Sequence, residues 1–106
     1  MNSGNVLFGR RLKELRLTTD LSQKQLGIQA GIDQFVASTR INRYEQAVHR
    51  ADFSIAERMA EILDAPVGYF FTTDDTLAEL MLIYHRCPAK LKKYIAKNVR
   101  NTVSQD

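Results

Sequence analysis

The 106-residue sequence is poor in the residues that build disulfides, metal sites and membrane spans. It has one cysteine, Cys87, and two distant histidines, His49 and His85, which are too few for an internal disulfide or for a structural zinc site within one chain. No stretch approaches the ~18 uninterrupted apolar residues of a spanning helix, and the first residues lack the apolar core of a signal peptide. We therefore expect a cytoplasmic protein with no metal, no cofactor and no membrane association.

Charge is modest in total, +3, but uneven along the chain. Residues 1–50 carry eight Lys or Arg against four Asp or Glu, residues 51–85 carry one against seven, and residues 86–106 carry six against one. Two basic sections separated by an acidic one indicate one face for a polyanion and another that stays away from it. The alternative is that these are three solvated helical faces.

Helical periodicity runs through the sequence, and no run alternates as a strand does, so we predict an all-α fold. The first helix is expected from about Val6 to Leu17. A capping box of Ser22 and Gln25 opens the second, and Gly31 stops it. A third helix has an inward stripe made of Ala37, Ile41 and Tyr44. A fourth helix ends before Pro66, and a short fifth helix follows.

Two further amphipathic helices are predicted beyond residue 72, one on each side of Pro88. Their apolar side chains recur at helical spacing: Leu77, Leu80, Met81, Tyr84, Leu91, Tyr94, Ile95 and Val99. These are more apolar side chains than a two-helix extension can hide by itself, so residues 76–103 are expected to form the contact of a homodimer. The alternative is that both helices only cap the core.

The second helix, the turn at Gly31 and the third helix match the helix-turn-helix plan. The residues around them make the match specific: Phe8-Gly9-Arg10-Arg11-Leu12-Lys13-Glu14-Leu15-Arg16, Leu21-Ser22-Gln23-Lys24-Gln25-Leu26, Gly31-Ile32-Asp33, Ile41-Asn42-Arg43-Tyr44-Glu45 and Ala60-Glu61-Ile62-Leu63. Over about residues 5–71 the sequence resembles the lambda-repressor-like (XRE) family of transcriptional regulators. The resemblance implies a five-helix DNA-binding domain at residues 1–72. The helical extension at 73–106 is predicted from the periodicity alone.

The same resemblance implies a homodimer that binds double-stranded DNA and represses transcription by excluding polymerase. In similar proteins the side chain at the Gln23 position binds a DNA phosphate, and Arg16 and Glu45 form a structural ion pair. Arg43 is the best candidate for pairing with guanine, and a phosphate contact or a solvated side chain is the alternative. Gln34 suits adenine and Phe35 a thymine methyl. The remaining candidates for DNA contacts are Lys24, Ser38, Thr39, Arg40, Asn42, His49 and Arg50, with Arg10, Arg11 and Lys13 as further backbone clamps. Ordinary core packing is the alternative for Phe35.

The sequence departs from the family pattern around the third helix. Gly31 and Glu45 are 14 positions apart, against about ten in similar proteins, so roughly one helical turn has been added. The added residues either extend the third helix back to a cap at Asp33 or lengthen the turn, so that the helix starts near Ser38. Ala47 and Ala51 stand where the family commonly has glycine and proline, which predicts a less sharply defined loop. Gly27 replaces the usual alanine and allows close helix packing.

Two other functions are weighed against a DNA-binding regulator. One is a protein-interaction module such as an antitoxin, which would also bind DNA but would mask an unknown protein partner through residues 72–106. The other is an enzyme, which is disfavoured because the sequence has no nucleophile in a recognisable motif and no glycine-rich phosphate loop.

Overall fold

The computed structural model describes residues 3–105 and confirms the all-α prediction. Within that range there are six α-helices, one 3₁₀ helix and no β-strand. In chain order these are α1 (Ser3–Arg16), α2 (Gln23–Gln29), α3 (Ala37–Glu45), α4 (Phe53–Ile62), a 3₁₀ helix (Val67–Phe71), α5 (Asp75–Arg86) and α6 (Ala89–Ser104). None of the described helices is long and apolar enough to cross a membrane.

Local capping residues fix where several helices begin. The predicted capping box is present at α2, where the Ser22 hydroxyl accepts from the Gln25 backbone N–H and the Gln25 side chain accepts from the Ser22 N–H. Asp52 caps α4, and Asp74 caps α5 in the same way by accepting from the Leu77 N–H. Each cap satisfies a backbone donor that the first helical turn would otherwise leave without a partner.

The core lies between α1, α2, α3, α4 and the 3₁₀ helix. Its largest fully buried side chains are Phe70, Leu12, Leu26, Ile41, Met59 and Leu63. Phe8 of α1 packs on Phe70 of the 3₁₀ helix with ring centroids 5.0 Å apart. This contact packs the 3₁₀ helix against α1. Both elements belong to the same core as α2 and α3.

Of the two predicted starts of the third helix, Asp33 and near Ser38, the structure agrees with the later one. It begins at Ala37, and residues 33–36 form a turn, so the added residues lengthen the connection and the extension of the helix back to Asp33 is wrong. The Asp33 carboxylate instead accepts from the Phe35 backbone N–H at 2.8 Å, which is a local turn hydrogen bond. Ser38 lies inside the first turn of α3 and does not cap it.

The loop after α3 is sharply turned although it lacks the usual glycine. Ala47 takes up the left-handed conformation itself, with φ of +62°, and its N–H donates to the Tyr44 carbonyl. The N–H groups of Val48 and His49 both donate to the Arg43 carbonyl. The prediction of a poorly defined loop was therefore wrong, because the backbone accepts a conformation that costs an alanine about 1 kcal/mol or more.

The first turn of α5 is tied to α1 by a buried arginine. Arg11 is only 3% exposed, and its guanidinium donates to the Thr72 carbonyl at 2.7 and 3.1 Å and to the Asp75 carboxylate at 2.9 Å. The hydrogen bond from Arg11, together with the charges of Arg10 and Arg11, lowers the pKa of Asp75. Arg11 therefore has a structural role, because its guanidinium is buried and hydrogen-bonded within the protein. The prediction that it contacts the DNA backbone is wrong.

Candidate nucleic-acid interface

Helix α3 presents one apolar face to the core and one polar face to solvent. The predicted inward stripe is confirmed, since Ala37 and Ile41 are fully buried and Tyr44 nearly so. The candidate clamp Arg40 is exposed, and so are all the residues expected on the other face: Phe35, Ser38, Thr39, Asn42 and Arg43. The 3.6-residue period of the helix places those side chains that belong to α3 together on one outward surface.

Glycine at position 27 lets α2 and α3 approach each other closely. A Cβ atom at Gly27 would lie 2.8 Å from the Ala37 Cβ, nearer than two such atoms can come. Ala37 is also the first residue of α3. The contact therefore limits the spacing of the two helices at the first turn of α3.

A buried ion pair locks the end of α3 onto α1. Arg16 donates to both carboxylate oxygens of Glu45, from Nε at 2.7 Å and from Nη2 at 3.1 Å. The Glu45 side chain is fully buried and that of Arg16 is 11% exposed. Arg16 also donates to the Leu21 carbonyl at 3.2 Å, so the pair fixes the α1–α2 connection as well. The ion pair implied by the family resemblance is formed.

Gln23 extends this network to the outward face of α3. Its Nε2 donates to Glu45 Oε1 at 2.9 Å and to Asn42 Oδ1 at 3.1 Å. A side-chain amide has only two N–H hydrogens, so both donors of Gln23 are used within the protein. The Asn42 side chain has no other hydrogen bond within residues 3–105, so its own N–H donors remain unused and face solvent.

Three arginines and a histidine line one open cleft beside α3. The cleft has a volume of about 430 Å³ and is bordered by Arg40 and Arg43 of α3 and by His49 and Arg50 of the following loop. Across residues 3–105 none of these four side chains has an ion pair or a hydrogen bond to the protein. Cations held close together without acidic partners create a positive potential that attracts a polyanion.

The lengthened turn places two further candidates in front of α3. Gln34 and Phe35 are both exposed, and Phe35 is 86% exposed. The alternative that Phe35 packs in the core is therefore wrong. Val36 was not among the predicted contacts, but it lines the same cleft as Arg40 and Arg43. Its helical spacing to Thr39 and Arg40 is the signal that could have identified it.

The other candidate cations are spread around this face. Lys24 on α2 is exposed and has no ion pair within the described part of the chain. Arg10 lies on α1 and is paired with Glu14 at 3.7 Å and with Asp75 at 3.5 Å. The structure thus groups the predicted residues of α3 and its two flanking loops, and leaves Arg10 outside that group.

Two short helices packed against each other across a lengthened turn, with a polar and cationic outer face on the second, are typical of a helix-turn-helix DNA-binding protein. A family model for a helix-turn-helix domain matches residues 7–68, and the chain belongs to that family. Its structure is similar to the crystal structure of the transcriptional regulator BswR, with a TM-score of 0.81 and 36% sequence identity over 88% of this chain and 92% of that one. No curated protein matched the sequence. The chain is accordingly a DNA-binding regulator.

Proposed function

We propose that this protein belongs to the lambda-repressor-like (XRE) branch of helix-turn-helix regulators and that it represses transcription in the cytoplasm as a homodimer on a double-stranded operator. The observation that carries the proposal is the cleft beside α3, which is lined by three unpaired arginines, Arg40, Arg43 and Arg50, together with His49. In this reading α3 enters the major groove. Bound there, the protein excludes polymerase from the same DNA.

Arg43 and Asn42 are proposed to read bases. Arg43 is exposed and unpaired, so its guanidinium is free for bidentate pairing with guanine, which discriminates against the wrong base by about 1–3 kcal/mol. Asn42 keeps its oxygen on Gln23 and offers N–H donors. Ser38 and Thr39 add hydroxyl groups on the same face.

Phosphate contacts are proposed for the cations around the groove. Arg40, His49 and Arg50 flank the outer face of α3, and Lys24 lies on α2. Gln23 takes this role only when its bonds to Asn42 and Glu45 are released. In the free protein Gln23 orients Asn42. The phosphate contact that the family resemblance implies for Gln23 would follow only after this bond is released.

The turn at residues 33–36 is proposed to add readout that a shorter turn does not provide. Gln34 has the amide geometry that pairs with adenine, and Phe35 offers an apolar surface to a thymine methyl. Phe35 is 86% exposed, so a contact with DNA that removes water from its ring would favour binding.

The experiment is operator selection from a random pool, followed by titration of the selected duplex by fluorescence anisotropy at several salt concentrations. We expect log affinity to fall with log salt by about 0.9 per neutralised phosphate. Arg43→Ala is expected to lose about 1–3 kcal/mol and to relax the preference at one base position. Glu61→Gln, at an exposed position on α4 that belongs neither to the face of α3 nor to the α5–α6 extension, is the control. An affinity that does not depend on salt, or an unchanged preference in folded Arg43→Ala and Phe35→Ala, contradicts the proposal.

A further inference from the structure

Helix α6 has an apolar stripe that its own chain leaves uncovered. No α6 residue is buried, and every residue from Lys97 to Gln105 is exposed. Tyr94, Val99 and Val103 on the stripe are 64%, 57% and 66% exposed. An isolated helix of about this length is only marginally stable in water, so α6 needs a surface to pack on.

Helix α5 has the matching property on its outer side. Its inner side meets the core through Ala78 and Leu82. Its outer side carries Leu77, Leu80, Ile83 and Tyr84, all of them between 42% and 57% exposed. Within the chain, α6 approaches this helix at their junction, where the Lys92 ammonium lies 5.8 Å from the Tyr84 ring centroid. Each chain therefore has two uncovered apolar surfaces on consecutive helices.

The shape of the chain agrees with a missing partner. Its radius of gyration is 15.8 Å, against ~13 Å for a compact domain of this length. Its accessible surface is 7142 Å², which is about 1,100 Å² more than the ~6,000 Å² expected for a monomer of this mass. A standard interface covers about 800 Å² on each partner, so the excess is enough for one.

The charges decide which surfaces meet. Helix α6 contains no acidic residue and carries Lys90, Lys92, Lys93, Lys97 and Arg100, none of which has an ion pair within residues 3–105. Two α6 helices packed side by side would bring ten positive charges together. Helix α5 offers Glu79, which is exposed and likewise unpaired in that range.

We propose that two copies associate by exchanging α6, so that α6 of each copy lies across the outer side of α5 of the other. This inference rests on the homodimer of the proposed function and specifies its interface. A two-fold axis satisfies both apolar surfaces of both chains at once, and it sets the basic α6 against the acidic end of the partner's α5. Contact of α6 with DNA would use its cations but would leave the outer side of α5 exposed.

The direct test is an isotope-filtered nuclear Overhauser experiment on a mixture of labelled and unlabelled full-length chains. Intermolecular contacts are expected between Tyr94 or Val99 of one chain and Leu80 or Ile83 of the other. Contacts that join α6 only to α6, or α5 only to α5, would overturn the exchange. If such α6–α6 or α5–α5 contacts are found in a dimer that binds the selected operator, the exchange is wrong but the proposed DNA-binding homodimer is still supported. A chain that binds operator while remaining monomeric would overturn the homodimer itself.

Variants test the same arrangement by sedimentation. Leu80→Asp and Tyr94→Asp should each weaken the dimer about tenfold or more, whereas Leu17→Asp, at a 63% exposed position on another part of the chain, should not. The double variant Lys93→Gln/Lys97→Gln removes two lysines of α6. For each ion pair with an acidic residue of the partner that is lost, the dimer dissociation constant should rise about two- to fivefold. Tighter association of the double variant would show that like-charged α6 helices face each other, and the exchange would be wrong.

Discussion

Removing Glu45 should be one of the most damaging single substitutions in this protein. The carboxylate is fully buried and holds Arg16 through two hydrogen bonds of 2.7 and 3.1 Å, while Gln23 donates to it at 2.9 Å. Glu45→Ala leaves the Arg16 guanidinium buried with only the Leu21 carbonyl as a partner. Breaking a buried pair on one side costs roughly 3–5 kcal/mol, which is a large part of the 5–15 kcal/mol that typically stabilises a domain.

The assay is thermal unfolding followed by circular dichroism. At about 4 °C or more per kcal/mol for a domain of this size, Glu45→Ala should melt roughly 12 °C or more below the wild type. The matched control is Glu14→Ala, which removes an exposed pair with Arg10 at 3.7 Å whose side chains are 56% and 44% exposed. Such pairs contribute about 0–1 kcal/mol, so Glu14→Ala should melt within a few degrees of the wild type.

A double variant separates the charge from the packing. Arg16→Met/Glu45→Leu removes both charges and retains apolar volume, so it should be more stable than Glu45→Ala, because no buried charge is left without a partner. The reasoning is refuted if Glu45→Ala melts within about 2 °C of the wild type, or if the double variant loses as much stability as the two single losses added together.

Three further predictions concern the backbone and α5. Ala47→Gly should raise the free energy of unfolding by about 0.5–1 kcal/mol in urea titration, because glycine adopts the +62° φ without strain; a decrease would contradict this. Gly27→Ala should lower it by about 1–3 kcal/mol, because the new Cβ would lie 2.8 Å from that of Ala37. Asp75→Asn should be less stable than the wild type at pH 7. Since Arg11 lowers the pKa of Asp75 from 3.8, the carboxylate stabilises the fold above that value, and the difference should vanish as acid protonates it; a difference independent of pH would exclude this role.

The sequence alone determined the features that depend on short-range rules. Helical periodicity identified the inward face of α3, because Ala37, Ile41 and Tyr44 repeat at the spacing of one helical face. The capping box at Ser22 was equally clear, since its two hydrogen bonds join residues three positions apart. The helix-turn-helix class followed from the match of α2, the turn at Gly31 and α3 to that plan, made specific by the resemblance of residues 5–71 to a known family.

Tertiary structure decided what several side chains do. Asp33 can cap a helix or close a turn with equal local chemistry. In the structure it accepts from the Phe35 N–H within the turn, and α3 begins only at Ala37, where it packs against Gly27. Arg11 has the sequence signature of an exposed cation, but it is buried because its partner carbonyl at Thr72 lies 61 positions away. Gln23 donates both of its amide hydrogens to Glu45 and Asn42, which lie 22 and 19 positions further along the chain. Hydrogen bonds between residues so distant in sequence depend on how the helices pack, and no local pattern in the sequence determines that packing.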